Sequence, residues 1–158
     1  MDGTGGTSGR VRADEVVLAA LRLAMGISIQ AADEIGTLST VQLRAVTVLS
    51  ERPNANLGDL AQGMAVSLSV TSRLVDRLVA AGLVERRPSE TSGREISLSL
   101  TAEGERTLRR YDDLRLARVH ERLRALPEGR AEEVVAALQS VLEAVAGSRQ
   151  DPASADPA

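Results

Sequence analysis

Apolar residues recur at helical spacing over most of the chain. Val16, Val17, Ala20, Leu21, Ala24 and Ile27 mark a first helix from about Ala13 to Glu34. A second starts at Ser39, where Ser39-Thr40-Val41-Gln42 has the form of a capping box: the serine hydroxyl accepts from the N3 amide while Gln42 reaches back. Leu43, Val46, Val48 and Leu49 supply its apolar face, and it stops near Arg52-Pro53-Asn54. A short third helix starts at Leu57, with Asn56 as N-cap and Asp59 favourably placed in the first turn, and ends by Gly63-Met64. After a tight turn at Ala65-Val66, Ser67 caps a fourth helix to about Ala81, with Gly82 as its C-terminal stop.

Beyond Gly82 the period changes. Leu83 to Arg87 is short and extended, and Pro88-Ser89-Glu90-Thr91-Ser92-Gly93 reads as a loop. Ile96, Leu98 and Leu100 then alternate with Ser97 and Ser99, the pattern of a half-buried strand, so the two extended pieces predict a β-hairpin. Thr101 caps a long, charged helix from Ala102 to about Ala125. Leu126-Pro127 separates it from a last helix, with Pro127 suited to the first helical position. Val134, Val135, Leu138, Val141, Leu142 and Val145 form an apolar stripe along that helix. In so short a chain a second subunit is a good candidate to cover it.

Two helices joined by a tight turn and followed by a hairpin make the winged helix-turn-helix order. The expected fold is mainly α with a small β-hairpin wing. The folded part is placed at 12–148, with a DNA-binding core at about 38–101 flanked by helices at about 13–34 and 102–147. The ends, 1–11 and 149–158, are expected to be disordered, since they carry too little apolar surface to offset the entropy of ordering.

The fourth helix is the candidate reader of DNA. Thr71, Leu74, Val75 and Leu78 fall at i, i+3, i+4 and i+7 and should face inward. Leu68, Ser69, Ser72, Arg73, Asp76 and Arg77 are then left outside. Small hydroxyls near the N-terminus allow close approach to base edges, and Arg73 can reach a phosphate or a guanine edge. Arg77, one turn on, meets the backbone or pairs with an acid. Gly93-Arg94 at the hairpin tip places a planar, always-charged side chain where a narrow minor groove would attract it, with Arg86 and Arg87 along the arm. Two helix arginines alone would be an ordinary solvated face. The order of elements around them changes that reading.

Charge supports the same stretch weakly. Net charge is −3, but residues 67–94 carry five Arg against three acids, while the segments on either side are negative. Every basic side chain is Arg; there is no Lys. With no Phe or Trp and only Tyr111, the core must be aliphatic, which leans toward helix packing. Tyr111 is also the one protein ring on which a ligand could stack. The absence of cysteine excludes disulfides, thiolate metal sites and thiol redox sensing. The single His120 cannot build a multi-histidine metal site. No phosphate loop, HExxH, dinucleotide fingerprint or Gly-x-Ser-x-Gly is present, so an enzyme is not expected and no cofactor is implied. Asp112-Asp113 and Glu132-Glu133 read as solvated helix positions. With no run of about 18 apolar residues and no signal-peptide order in Met1–Gly9, no membrane partner and a cytoplasmic location are expected. The rival reading is a helical dimeric interaction protein whose winged helix no longer binds DNA.

The run from Leu60-Ala61-Gln62 through Val66-Ser67-Leu68-Ser69-Val70-Thr71-Ser72-Arg73-Leu74-Val75-Asp76-Arg77-Leu78 to Gly82-Leu83-Val84-Glu85-Arg86 resembles the helix-turn-helix of the multiple antibiotic resistance regulator (MarR) family. Leu38 to Val46 is similar to the family's second helix, and Gly93-Arg94 with Leu98-Ser99-Leu100-Thr101-Ala102-Glu103-Gly104 to its wing and exit. The resemblance covers about residues 13–147. It implies a homodimer joined by the first and last two helices, bound to a pseudo-palindrome of double-stranded DNA with recognition helices in successive major grooves and wings in minor grooves. It implies repression, and release by a small-molecule effector in a crevice between the dimerisation and DNA-binding parts. By position, Ser67, Ser69, Ser72 and Arg73 are the helix contacts and Arg94 the wing contact, with Arg77 and Arg86 as further DNA-facing candidates. Val16, Val134, Leu138, Val141, Leu142 and Val145 are the dimerisation candidates. The chain departs from the family pattern at Ser92, where an acid often orients the tip arginine, and at Leu68 and Thr71.

Overall fold

The computed structural model describes residues 5–88 and 96–150 of the chain, with side chains over 12–88 and 96–147. Among these residues, six helices and a two-stranded antiparallel hairpin follow in the order α1 (Gly5–Ile35), α2 (Thr40–Glu51), α3 (Leu57–Met64), α4 (Leu68–Ala80), β1 (Val84–Pro88), β2 (Ile96–Leu100), α5 (Ala102–Arg124) and α6 (Arg130–Gln150). The chain divides into two compact units, Met1–Leu116 and Ala117–Ala158.

In the first unit the local signals act as expected. Ser39 accepts from the Gln42 amide at 3.3 Å, and the Gln42 side chain accepts from the Ser39 amide at 2.9 Å, closing the box that starts α2. Asn56 does more than cap α3. Its Oδ1 accepts from the Asp59 amide and Asp59 Oδ2 accepts from the Asn56 amide, both at 2.9 Å, so two orphan amides are satisfied reciprocally. Replacing Asn56 with alanine is expected to cost about 1 kcal/mol. In a melting experiment the midpoint should fall by roughly 2–4 °C.

The main core joins Val46, Leu49 and Ala45 of α2, Leu60 and Met64 of α3, and Leu74, Val75 and Leu78 of α4 to Leu83, Val84 and Leu98 of the hairpin region. Ala55 extends the hairpin by an isolated bridge to Leu98, whose amide donates to the Ala55 carbonyl at 2.8 Å. A second cluster packs Ala31 and Ala32 of α1 and Leu43 of α2 around Tyr111 of α5, whose hydroxyl donates to the Ser28 carbonyl at 3.3 Å. Thr101 caps α5: its Oγ1 accepts from the Gly104 amide at 3.1 Å, and its own amide donates to the Leu83 carbonyl at 3.0 Å.

Four sequence expectations need correction. Helix α1 begins at Gly5 and α6 runs to Gln150, so residues 5–11 and 149–150 are helical rather than parts of disordered tails. Extending a formed helix backward costs far less than nucleating one, and the long apolar stretch behind it supplies the nucleus. The segment Arg12–Ile35 is also long and apolar enough, by length and composition alone, to cross a membrane. Counting unbroken apolar residues hid this, because single polar positions such as Arg22 interrupt the run without making the helix polar. In β2 the expected alternation holds only in its middle: Leu98 is buried, but Ile96 is 56% exposed and Ser97 is buried. Ile96 pairs with Pro88 at the outer end of the described hairpin, beyond the reach of the core, and the Ser97 hydroxyl donates to the Arg87 carbonyl. Finally, α6 starts at Arg130 and not at Pro127, because Gly129 takes φ +79°, a left-handed conformation incompatible with a continuing helix. The expected disorder of 1–4 and 151–158 lies outside the described residues.

In the second unit, α6 carries the stripe read from the sequence, and all six of its residues from Val134 to Val145 are exposed, Leu142 to 67%. In the first unit, Val16, Val17, Leu21 and Met25 of α1 are exposed as well, while Ile27, Ala31 and Ala32 near its C-terminal end are buried.

Candidate nucleic-acid interface

Helices α3 and α4 meet through a turn at Ala65, which adopts φ +55° and donates its amide back to Gln62. Close helix packing supports this turn. A Cβ added at Gly63 would sit 2.6 Å from a methyl of Val48, so only glycine lets α3 lie this near α2. Ser67 then caps α4, accepting weakly from the Val70 amide at 3.4 Å and lying 3.1 Å from the Ser69 hydroxyl. Thr71, Leu74, Val75 and Leu78 are all buried, as their spacing requires. The Thr71 hydroxyl is satisfied inside by the Ser67 carbonyl at 2.9 Å, which explains how a polar residue occupies a position that spacing assigns to the core.

This burial fixes what α4 shows to the outside. Ser67, Ser69, Arg73, Asp76 and Arg77 are exposed and Ser72 is half-buried. The hydroxyls of Ser67 and Ser69 and the guanidinium of Arg73 therefore lie on one surface, within the first two turns of the helix. Arg73 and Arg77, one turn apart, border a shallow depression of about 140 Å³ lined also by Val41, Val70 and Leu74. Among the described residues neither arginine has a hydrogen bond or ion pair with an acid. Of the two roles expected for Arg77, pairing with a carboxylate is therefore not met in this conformation.

The arm of the hairpin stands beside α4. Arg86 Nη2 lies 2.6 Å from Asp76 Oδ1, so the one acid on the outer face of α4 is paired with a residue of β1. Arg87 pairs with Glu85 on its own strand. Arg94, the expected wing-tip contact, lies outside the described residues, as does Ser92. The pairing of Asp76 with Arg86 was not visible in sequence: ten residues separate them, and only the reversal at Gly82 (φ +71°) brings the arm back along the helix.

A larger cavity of about 310 Å³ lies between the end of α2, β2 and α5, lined by Leu49, Pro53, Leu100 and Leu108 with Ser50, Asn54, Ser99, Glu105 and Arg109. Tyr111 is buried in the second core cluster with Arg115 stacked 5.1 Å from its ring centre.

Comparison with known proteins agrees with this arrangement. Residues 38–96 match the model of the MarR family, a span running from α2 to the start of β2. The crystal structure of RV1404 from Mycobacterium tuberculosis superposes with a TM-score of 0.73 at 31% identity, covering 83% of this chain and 90% of that one. The chain belongs to the MarR family. Proteins of this family are transcription regulators and not enzymes, and the winged helix-turn-helix is their fold. The HTH-type transcriptional regulator YfiV of Bacillus subtilis (strain 168) is 32% identical over 72 residues, which make up 46% of this chain. That alignment spans only 45% of the length of YfiV. A mutant of S. aureus MepR, solved bound to an oligodeoxyribonucleotide, shares the fold at 15% identity with a TM-score of 0.63, over 84% of this chain and 96% of that one.

Proposed function

We propose that this MarR-family chain is a sequence-specific regulator that binds a pseudo-palindromic operator in double-stranded DNA as a homodimer and represses transcription from it. The observation that carries the reading is the outer face of α4, where small hydroxyls lead into two arginines unpaired among the described residues. The DNA-bound neighbour supports it by fold alone. In this reading Ser69, Ser72 and Arg73 meet base edges and Ser67 sits at the helix N-terminus near a phosphate. Arg77 meets the backbone, and Arg94 enters the minor groove. Such a protein acts in the bacterial cytoplasm, where its operator is.

The dimer would form through the exposed apolar faces of α1 and α6, with Val16, Val134, Leu138, Val141, Leu142 and Val145 as candidates. Replacing Leu138 and Val141 together by alanine is expected to shift the sedimentation profile from dimer toward monomer. A profile identical to that of the parent would remove α6 from the interface. Effector release would use the cavity at Leu49, Pro53, Leu100 and Leu108, whose volume suits a small molecule. Its lining mixes the apolar Leu49, Pro53, Leu100 and Leu108 with polar and charged side chains that include Glu105 and Arg109, and Tyr111 is committed to the core, so an amphipathic ligand fits better than one held by ring stacking. A ligand there would act by favouring one spacing of the two reading helices.

The test is binding to the chain's own promoter region measured across a salt series. Phosphate contacts release counterions, so affinity should fall steeply as salt rises. No binding even at low salt would favour a dimeric interaction protein whose winged helix no longer engages DNA.

A further inference from the structure

The hairpin arm leaves the protein body within a few residues. On β1 only Val84 is buried and Glu85 is half-buried; Arg86, Arg87 and Pro88 are exposed. Among the described residues, the one polar side-chain contact between this arm and α4 is the Arg86–Asp76 ion pair at 2.6 Å, with side chains 40% and 57% exposed. Asp76 lies three residues after Arg73 and four after Ser72, so it shares their side of the helix. A bare carboxylate at that place would oppose the approach of phosphate.

Taking the DNA-binding reading as its basis, we propose that Asp76 and Arg86 are a positioning pair: they hold the wing arm at a set angle to the recognition helix, and Arg86 does not itself contact DNA. The guanidinium is directed at Asp76 and neutralises it. An exposed pair of this kind adds little to global stability, so its effect is on geometry and not on folding. It acts where it matters most, between the two elements that must enter neighbouring grooves together. A small change in arm angle is magnified at the tip.

Two variants give opposite signs under the two accounts. Asp76→Ala removes a negative charge from the DNA-facing helix, so electrostatics alone would tighten operator binding. The positioning account expects weakening, by about fivefold or more, because the arm is released. Arg86→Ala should weaken binding by a similar factor while leaving the slope of log affinity against log salt unchanged. An arginine on a phosphate would instead lower that slope by about one per half-site, or about two for the dimer on its operator.

A third arm needs no DNA. In the free protein, hydrogen exchange over 84–88 and 96–100 should accelerate in Asp76→Ala and in Arg86→Ala, with α2 unaffected. The exchanged double variant, Asp76→Arg with Arg86→Asp, should restore protection. Tighter binding by Asp76→Ala, a loss of about one per half-site in the salt slope for Arg86→Ala, or unchanged hairpin exchange in both single variants would each overturn the proposal. A parent protein that binds no DNA would sink the functional reading, while the exchange arm would still judge the pair.

Discussion

Replacing Gly104 with alanine is expected to destabilise the protein by roughly 3 kcal/mol, at the upper end of what overpacking costs. A Cβ at Gly104 would lie 2.1 Å from the Leu83 carbonyl oxygen and 3.1 Å from its carbon, and both are backbone atoms. The carbonyl cannot swing away freely, because it accepts from the Thr101 amide at 3.0 Å. The first turn of α5 therefore lies directly against the chain between α4 and β1. Relief of the clash must move the helix or break that bond. The melting midpoint should fall by about 6–12 °C for a chain of this size. A midpoint unchanged from the parent would mean that Leu83 and α5 are not held together as described. The same packing should matter for DNA binding, since Leu83 joins the reading helix to the wing.

The largest functional effect is expected from the arginines proposed to meet DNA. Arg73→Ala should cost about 1–3 kcal/mol at each half-site, the usual penalty for removing a base-reading arginine. In a homodimer every substitution is made twice, so the penalty per operator is of order 2–6 kcal/mol, or roughly thirtyfold and upward in affinity. Arg94→Ala should act in the same range at the wing. Arg73 belongs to neither buried core, so melting and sedimentation of its variant should match the parent. It is also free of any acid partner among the described residues, which is why its removal should be felt by DNA and by little else. Binding by both variants at parent affinity would show that the site has been misplaced, even if the protein binds DNA.

The elements most legible in the sequence are those set by local chemistry. Ser39 and Gln42 are three residues apart and form their box wherever the helix goes; Thr71, Leu74, Val75 and Leu78 follow the helical period and are buried accordingly. The outer face of α4 was legible for the same reason, as the complement of the buried one. Features set by packing between distant parts of the chain were not legible. Alternation predicts Ile96 inward, yet inwardness requires a core at that point of the strand, and the hairpin has already left it. Pro127 favours a helix start, but the left-handed Gly129 two residues later overrides it. Asp76 reads as a solvated acid until the turn at Gly82 lays Arg86 beside it. Tyr111, the one ring on which a ligand could stack, is the centre of a small core instead, because Ala31, Ala32 and Leu43 converge on it from two other helices.

The exposed faces of α1 and α6 bear on the same question as the arginines. Large aliphatic side chains left in water are unfavourable, and a second copy is the proposed cover. A dimer also turns one reading helix into two, which is what an operator of two half-sites requires.

Hydroxyl-radical footprinting of the full chain on its operator tests this directly. Two protected patches should appear, related by a two-fold axis and about one helical turn, roughly 10 base pairs, apart. Both should fade together when Arg73 is replaced by alanine. A single protected patch, or a footprint that persists unchanged in that variant, would contradict the assignment of two coupled α4 helices as the reading head.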